Sequence, residues 1–297
     1  MGKKRKISQR EKSEFIWGWI FILPTMLGLI ILNLYPMVDT IRQSFYKTGD
    51  FGKGNVFVGL KNYQKVLGDG EVWQSLWNTV KYAIIEVPFS VVIALLLAVL
   101  LNKKLKGRDV FRTIFFLPMV VAPAAIAMVW KWLYNTQFGL LNNIFHSKIA
   151  WISDPKIAWI SIGIIGVWSI IGYNMVLFIS GLQEIPGDYY EAASIDGANG
   201  LRQFFSITVP LLSPTTFFIV QTRIIGALTI FDLMFMVMDK TNVALPKVQS
   251  IVYLFYQYSF TNGNKGYGAT IVMVLLVFIM ILTWILQQAE KKIVYHA

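Results

Sequence analysis

The chain has 297 residues, of which 56% are hydrophobic and 14% are charged, and its mean hydropathy is +0.56. A soluble domain usually carries about 25% charged residues, so this composition indicates that lipid is the solvent. The net charge of +11 is then expected to orient the chain in the membrane and to interact with anionic lipid, not to bind nucleic acid. The chain has no cysteine and two histidines, His146 and His296, which excludes disulfides, thiol catalysis and a multi-histidine metal site.

Six apolar stretches follow one another along the chain, and each is long enough to cross a bilayer. A helix needs about 20 apolar residues to span ~30 Å of hydrocarbon. Pro24, Pro118 and Pro123 lie inside these stretches and are expected to be tolerated there, since neighbouring groups can satisfy the freed carbonyls. The predicted fold class is therefore an all-α integral membrane protein with six transmembrane helices. The stretches cover roughly residues 15–37, 79–101, 112–134, 157–180, 209–238 and 268–287.

The distribution of Lys and Arg predicts the orientation of these helices. A basic run at residues 3–6 precedes a first stretch that is too long for the roughly 7–15-residue core of a signal peptide, so we expect a retained first helix. With the N-terminus inside, the inner segments hold 14 Lys and Arg residues and the longer outer segments hold 10. The strongest inner marker is the basic cluster between residues 103 and 108. The sequence therefore predicts that both termini are cytoplasmic.

The loop after the fourth stretch, residues 184–210, is not a plain polar linker. Asp196-Gly197 is a turn signal, in which glycine supplies the positive φ of a helix end. Aromatic and small residues give the loop an apolar surface around the carboxylate of Glu191, and such a surface usually meets a partner protein. The alternative is a helix lying on the membrane surface. That helix would be rich in Lys and Arg, whereas the loop has only Arg202.

This loop resembles the signature of ABC importer permeases, in which Glu-Ala-Ala is followed by three residues, a glycine, nine residues and Ile-x-Leu-Pro. The matching residues here are Glu191, Ala192, Ala193, Gly197, Ile207 and Pro210, with Val209 in place of the leucine. Over nearly its whole length the chain also resembles carbohydrate permeases of the maltose/glycerol-phosphate type. The segments that carry this resemblance are 22–24, 35–36, 44–45, 57–63, 77–79, 112–118, 138–139, 226–227 and 231–232.

The resemblance implies a fold and a set of coupling residues. The implied fold is that of a type I ABC importer permease (MetI-like). In the family the glutamate of the motif pairs with an ATPase subunit, and its glycine permits the turn. The implied parts are a basic cytoplasmic tail at 1–14, the first transmembrane helix and an external loop at 15–68, a five-helix core at 69–290 that carries the cytoplasmic coupling loop 184–210, and a cytoplasmic tail at 291–297. The residues expected to couple to the ATPase are Tyr190, Glu191, Ala192, Ala193, Asp196 and Gly197.

The resemblance also implies a function and partners. The implied function is that of a permease subunit of an ATP-driven importer for a sugar or oligosaccharide, in a bacterial inner (plasma) membrane. Its implied partners are a second homologous permease, two ATPase subunits, an extracytoplasmic sugar-binding protein and membrane lipid. The chain has no Gly-x4-Gly-Lys-Ser/Thr phosphate loop. ATP and Mg²⁺ are therefore expected on the ATPase subunits, and this chain is expected to bind no cofactor or metal and to have no catalytic residue.

Ionisable residues inside the spans suggest where a substrate passes. Arg223 either binds an acidic sugar or phosphate group, or pairs with a carboxylate or carbonyl of the partner permease. Glu86 is expected to be a buried partner or to line a cavity, with a proton relay as the less favoured alternative. Asp232 lies on nearly the opposite face from Arg223. Small residues beside Arg223 leave room either for a ligand or for close helix packing. The resemblance also implies that certain stretches line the sugar path, as they do in the family. Together with the surroundings of Arg223, these stretches contain the expected path residues: Met119, Pro123, Gly166, Ser169, Ile170, Tyr173, Asn174, Arg223, Gly226, Ala227 and Ile230.

Two other functional classes fit the sequence less well. An ion-coupled secondary transporter typically has paired carboxylates at mid-membrane, internal repeats, or Gly/Pro-broken helices in matching halves, and none of these is visible in the sequence. An intramembrane enzyme would need clustered Asp, His or Ser-Lys groups at one depth. Both histidines lie outside the predicted spans. The importer subunit is therefore the favoured interpretation, with the secondary transporter as the alternative.

Overall fold

The computed structural model describes residues 9–48, 55–103 and 106–294. The predicted basic run at residues 3–6, Lys104 and the last three residues of the chain lie outside the described residues. Within the described part, four helices are long and apolar enough to cross a membrane, and two bent helix pairs raise the number to six if each pair is one span. The predicted all-α membrane fold is confirmed, although two of its spans are not single helices. The four helices are Gln9–Ser44, Gly70–Asn102, Ala158–Glu184 and Lys265–Lys292.

The first span is built from three consecutive helical segments. No side chain of the first segment, α1 (Gln9–Leu29), is buried, and Pro24 is accommodated inside it as expected. The last segment, α2 (Tyr35–Ser44), packs against α16 (Lys265–Ile293). An apolar surface left open in this way is compatible with lipid as the solvent, since lipid tails are as apolar as the side chains. The segments are α1 (Gln9–Leu29), a π-helical turn (Ile30–Leu34) and α2 (Tyr35–Ser44).

A small antiparallel sheet, which the sequence analysis did not predict, follows the first span. Asn62, in α3 (Lys61–Leu67), donates its side-chain amide to the carbonyl oxygens of Ser44 and Tyr46, each at 2.9 Å. These hydrogen bonds tie the sheet to the end of the first span. The two strands are β1 (Tyr46–Thr48) and β2 (Asn55–Phe57).

The central helix, α4 (Gly70–Asn102), packs along α8 (Ala158–Glu184). Helices in lipid gain little from hiding apolar surface, so they associate through close packing of small residues. Gly163 of α8 shows this, because a Cβ there would lie 2.8 Å from the side chain of Ile85. The pair α4 and α8 therefore forms the axis around which the other spans are arranged.

The third apolar stretch is not one helix, which corrects the prediction of a continuous span over 112–134. It consists of α5 (Arg108–Val120) and α6 (Pro123–Leu133), whose axes differ by 102°. Pro118 is accommodated inside α5, but Pro123 starts a new helix. The residue before a proline disfavours helical backbone, and Ala122 is extended, with φ −57° and ψ 136°.

The fifth stretch, predicted as one span over 209–238, is also broken. A bend of 65° at Leu212 separates the preceding segments from α12 (Ser213–Leu228). Pro214 lacks the N–H that would bond the carbonyl of Pro210, which explains the break. A second break follows at residues 229–231, before α13 (Asp232–Val237).

The remaining elements of the described chain are short. They complete the connections between the spans at the end of the bundle where α4 begins. They are α7 (Leu140–Ile144), α14 (Leu245–Val248), α15 (Ile251–Tyr256) and a π-helical turn (Gln257–Thr261).

Candidate functional site

The loop between α8 and α12 folds into a compact hairpin, residues 186–208, here called the 186–208 hairpin. Its first helix, α9 (Asp188–Ile195), ends in a Schellman motif: Ala198 N–H donates to the carbonyl of Ala193 at 2.9 Å, and Gly197 N–H donates to that of Ser194 at 3.1 Å. Gly197 has φ +78°, a conformation that a residue with a Cβ rarely adopts. The turn predicted at Asp196-Gly197 is therefore present.

Side-chain hydrogen bonds hold the second arm of the hairpin against the first. The amide of Gln203 donates to Ser194 Oγ at 2.9 Å and to the carbonyl of Ala198 at 3.2 Å. The hydroxyls of Tyr190 and Thr208 are 3.0 Å apart. The hairpin is thus braced internally and can move as one body. Its second arm comprises α10 (Gly200–Gln203), a π-helical turn (Phe204–Thr208) and α11 (Val209–Leu211).

The 186–208 hairpin exposes large apolar side chains beside the carboxylates of Asp188, Glu191 and Asp196. Ile195 is 87% exposed, Leu201 72% and Phe205 67%, and the Glu191 side chain is also exposed. A soluble surface rarely leaves large apolar side chains this open unless a partner covers them. Of the six residues expected to couple to the ATPase, Glu191, Ala192, Asp196 and Gly197 are exposed, whereas Tyr190 and Ala193 are half-buried and face the hairpin interior.

A cavity of about 320 Å³ lies in the middle of the bundle, where α4, α8 and α12 meet the α5–α6 break and the α12–α13 break. Non-helical backbone at membrane depth is tolerated only where protein buries it or where it lines an aqueous cavity. The two breaks therefore suit this cavity to a polar ligand. Its lining residues are Tyr82, Pro118, Met119, Val121, Pro123, Ile126, Gly166, Ser169, Ile170, Arg223, Gly226, Thr229, Ile230, Phe231, Asp232 and Leu233.

Arg223 forms an ion pair with Glu86 of the same chain, a partner that the sequence analysis did not assign to it. Arg223 Nε and Nη2 both donate to Glu86 Oε1, at 3.0 and 2.8 Å. The Glu86 side chain is fully buried, and the Arg223 side chain is 18% exposed. Such a pair neutralises the cation at the wall of the cavity. The pair joins α4 to α12 across the bundle.

Three of the expected path residues do not line this cavity. Asn174 is fully buried and donates its amide to Ser90 Oγ at 3.3 Å, and Ala227 is buried. Tyr173 lies further along α8 towards the hairpin. Tyr173 is half-buried there, and its neighbour Gly172 packs directly on the backbone carbonyl of Phe115 of α5. The eight that do line the cavity are Met119, Pro123, Gly166, Ser169, Ile170, Arg223, Gly226 and Ile230.

The lining residues that the sequence analysis missed are mostly those exposed by the helix breaks. α12 ends at Leu228 with Thr229 as its C-cap, and the break that follows places Phe231 and Asp232 at the cavity. Tyr82 lies on the face of α4 one turn before Glu86, with its hydroxyl against Gly166. A proline at a span centre, as at Pro123, is the signal that could have indicated the first of these breaks. Among the described residues, no three His, Asp or Glu side chains are grouped to hold a metal ion.

The hairpin and the cavity are connected by two helices. α8 carries Gly166 and Ser169 and runs directly into the hairpin, and α12 carries Arg223 and follows it. At ~1.5 Å per residue, Gly166 lies ~27 Å from the hairpin end of α8. The bases of the two helices pack tightly, because a Cβ on Gly181 would lie 2.6 Å from Thr215 Oγ1. A displacement of the hairpin therefore reaches two walls of the cavity.

The chain is similar to known membrane transport proteins. Residues 90–295 match the family described as "Binding-protein-dependent transport system inner membrane component". The chain is 33% identical over 272 residues to the trehalose/maltose transport system permease protein MalF of Thermococcus litoralis, which covers 90% of each chain. It is 33% identical over 285 residues to the sn-glycerol-3-phosphate transport system permease protein UgpA of Agrobacterium fabrum, covering 94% of this chain and 97% of that one.

A solved structure has the same fold. One chain of a bacterial alginate ABC transporter, in complex with an alginate pentasaccharide-bound periplasmic protein, superposes with a TM-score of 0.85. The match covers 97% of this chain and 98% of that chain, at 16% sequence identity. At that identity the comparison establishes the fold alone.

Proposed function

The chain belongs to the family of binding-protein-dependent transport system inner membrane components, and we propose that it is a permease subunit of an ATP-driven sugar importer. With a second homologous permease it forms the path for a sugar or oligosaccharide. The 33% identical relatives are named for trehalose and maltose and for sn-glycerol-3-phosphate, which supports a sugar or a related small polar compound as substrate. The observation that carries the proposal is the exposed 186–208 hairpin, which connects α8 and α12, the two helices that line the cavity.

The 186–208 hairpin seats in a cleft of an ATPase subunit. Its exposed Ile195 and Leu201 supply apolar contact area, and the carboxylate of Glu191 supplies an ion pair or charge-assisted hydrogen bond at the same surface. Two such ATPase subunits bind ATP and Mg²⁺, one for each permease. This chain supplies no catalytic residue and binds no cofactor.

Transport follows from the rigidity of the hairpin. Closure of the ATPase dimer moves the 186–208 hairpin as one body, because Gln203 and the Tyr190–Thr208 contact brace it. The motion passes through α8 and α12 to the cavity, which alternates between facing inward and facing outward. ATP drives this switch only if the ATPase contacts the hairpin differently in the two states.

The cavity is the place where the sugar crosses. Ser169 and Thr229 supply hydroxyls, Arg223 supplies N–H donors, and Asp232 supplies an acceptor. Phe231 offers an aromatic face on which the apolar face of a sugar ring can stack. A lining of this mixture suits a hydroxyl-rich ligand that must be bound weakly enough to leave.

The hairpin end of the bundle faces the cytoplasm, and both termini lie on that side. The Lys and Arg asymmetry of the sequence supports this orientation. The opposite end, with the β1–β2 sheet and α3, receives an extracytoplasmic sugar-binding protein.

A crosslinking experiment tests the proposal. Because the chain has no cysteine, a benzophenone maleimide can be attached to a single cysteine introduced by Ala192→Cys, with Val56→Cys at the opposite end as the matched control. In the assembled importer, we expect position 192 to crosslink to the nucleotide-hydrolysing subunit and position 56 not to. A crosslink from position 192 to the extracytoplasmic protein, or to no ATPase, would overturn the proposal.

A further inference from the structure

Charged groups stand at the cavity and directly behind its wall. Of the lining residues in the described part of the chain, Arg223 and Asp232 are charged, and Glu86 stands directly behind Arg223. We propose that the cavity takes uncharged sugars and rejects anionic ones, and that Glu86 is the residue that sets this specificity. The inference rests on the proposed function, in which the cavity is the sugar path.

The Arg223–Glu86 pair is not available to an anionic ligand. Both donors that Arg223 directs at Glu86 meet the same oxygen, and the other oxygen, Oε2, is buried without a hydrogen-bond partner. A sugar carboxylate or phosphate that captured the guanidinium would leave Glu86 as a buried, uncompensated charge. Removing one partner from a buried pair is strongly unfavourable for that reason. The anion therefore gains one ion pair only by breaking another.

The paired guanidinium still has donors for uncharged acceptors. Arginine carries five N–H groups, and those not directed at Glu86 can reach hydroxyl or ring oxygens. Gly226 keeps this edge open, because even a Cβ at position 226 would lie 3.1 Å from Arg223 Nη1. Arg223 can thus donate hydrogen bonds to a neutral sugar while its own charge stays paired with Glu86.

Asp232 adds a second reason for rejecting anions. Its side chain is exposed at the cavity, and no ion pair joins it to another residue of the described chain. With Arg223 balanced by Glu86, the carboxylate of Asp232 leaves this chain's part of the site with a net negative charge. The Asp232 carboxylate accepts hydrogen bonds from sugar hydroxyls and repels the carboxylate or phosphate group of an anionic sugar. Of the two 33% identical relatives, one is named for neutral disaccharides and one for a phosphate ester, and this cavity fits the former class.

A matched pair of photoaffinity probes tests the inference on the assembled importer. The probes are a diazirine-tagged glucose trisaccharide and the same trisaccharide with one glucose oxidised to glucuronate, so that they differ by one carboxylate. Labelled peptides are identified by mass spectrometry. We expect the neutral probe to label α8 and α12 at least about tenfold more than the acidic probe, since the acidic probe meets net negative charge. Equal labelling, or stronger labelling by the acid, would overturn the inference.

Variants separate the role of Glu86 from that of the cavity as a whole. Glu86→Gln leaves Arg223 with an uncompensated charge and is expected to raise labelling by the acidic probe about tenfold. The double variant Glu86→Gln with Arg223→Gln removes both charges and is expected not to gain it. If Glu86→Gln fails to assemble, the comparison of the two probes on the unaltered importer still decides the matter. Labelling of other parts of the chain by both probes, with none on α8 or α12, would overturn the sugar path itself.

Discussion

Arg223 and Glu86 stand 137 positions apart in the sequence, yet two nitrogens of one side chain meet a single oxygen of the other at 2.8 and 3.0 Å. The pair connects α4 with α12, so it links the central helix to the helix that follows the 186–208 hairpin. Because lipid surrounds the bundle, neither charge could be left alone at this depth without a large cost in free energy.

Single and double substitutions of this pair should therefore differ in their effect on stability. Glu86→Gln or Arg223→Gln alone is expected to destabilise the fold by about 3–5 kcal/mol, and the double substitution by clearly less. Thermal midpoints in detergent, read by fluorescence size-exclusion chromatography, measure this. The exposed Lys131–Asp239 pair is the control, and Lys131→Gln should cost no more than about 1 kcal/mol. Additive losses from the two buried substitutions would contradict the account.

Glu191 is expected to act in coupling and not in folding. Reversing its charge by Glu191→Lys places a cation at the ATPase-facing surface, and we expect sugar uptake to fall at least about tenfold. Because the side chain is exposed, thermal stability and assembly should be unchanged. Radiolabelled uptake together with the ATPase activity of the purified importer checks this. Asp188→Lys, in the first turn of the same helix, is the matched control, and equal loss of uptake there would show that any charge reversal on α9 suffices.

The conformation of Gly197 gives a sharper test of the turn. Gly197→Asp forces a side chain into backbone with φ +78° and should strain the Schellman motif by about 1–2 kcal/mol. Uptake is expected to fall while the complex still assembles. Gly200→Asp introduces the same side chain into equally open space, at a glycine whose φ is not positive, and should be tolerated. Full uptake by the Gly197 variant would show that the turn does not need glycine.

Gly172 should be intolerant of any side chain. A Cβ there would overlap the backbone carbonyl of Phe115, so Gly172→Ala must push α5 away from α8. Overpacking of this kind typically costs about 1–3 kcal/mol, and here it also displaces the helix that borders the cavity. Gly18→Ala, in the exposed part of α1 with no atom nearby, is the control. We expect lower thermal stability for the first variant only, and equal stability of both would argue against the α5–α8 contact.

The sequence by itself determined the features that depend on local chemistry. The six apolar stretches follow from the length that a helix needs to cross the bilayer, and the hairpin turn follows from the ability of Gly197 to adopt the positive φ that the turn requires. Both can be predicted because the cause and the effect lie within a few residues. The number of spans and the location of the turn accordingly agree with the structure.

Only the tertiary structure decided where the spans bend and which spans contact one another. Whether a proline bends a membrane helix depends on what its neighbours can satisfy: Pro118 stays inside α5, whereas Pro123 begins α6 after a 102° bend. The partner of Arg223 and the close packing of Gly172 on Phe115 likewise depend on helices distant in sequence. Periodicity shows which residues share a face of one helix, but which helix meets that face is set by packing across the whole bundle.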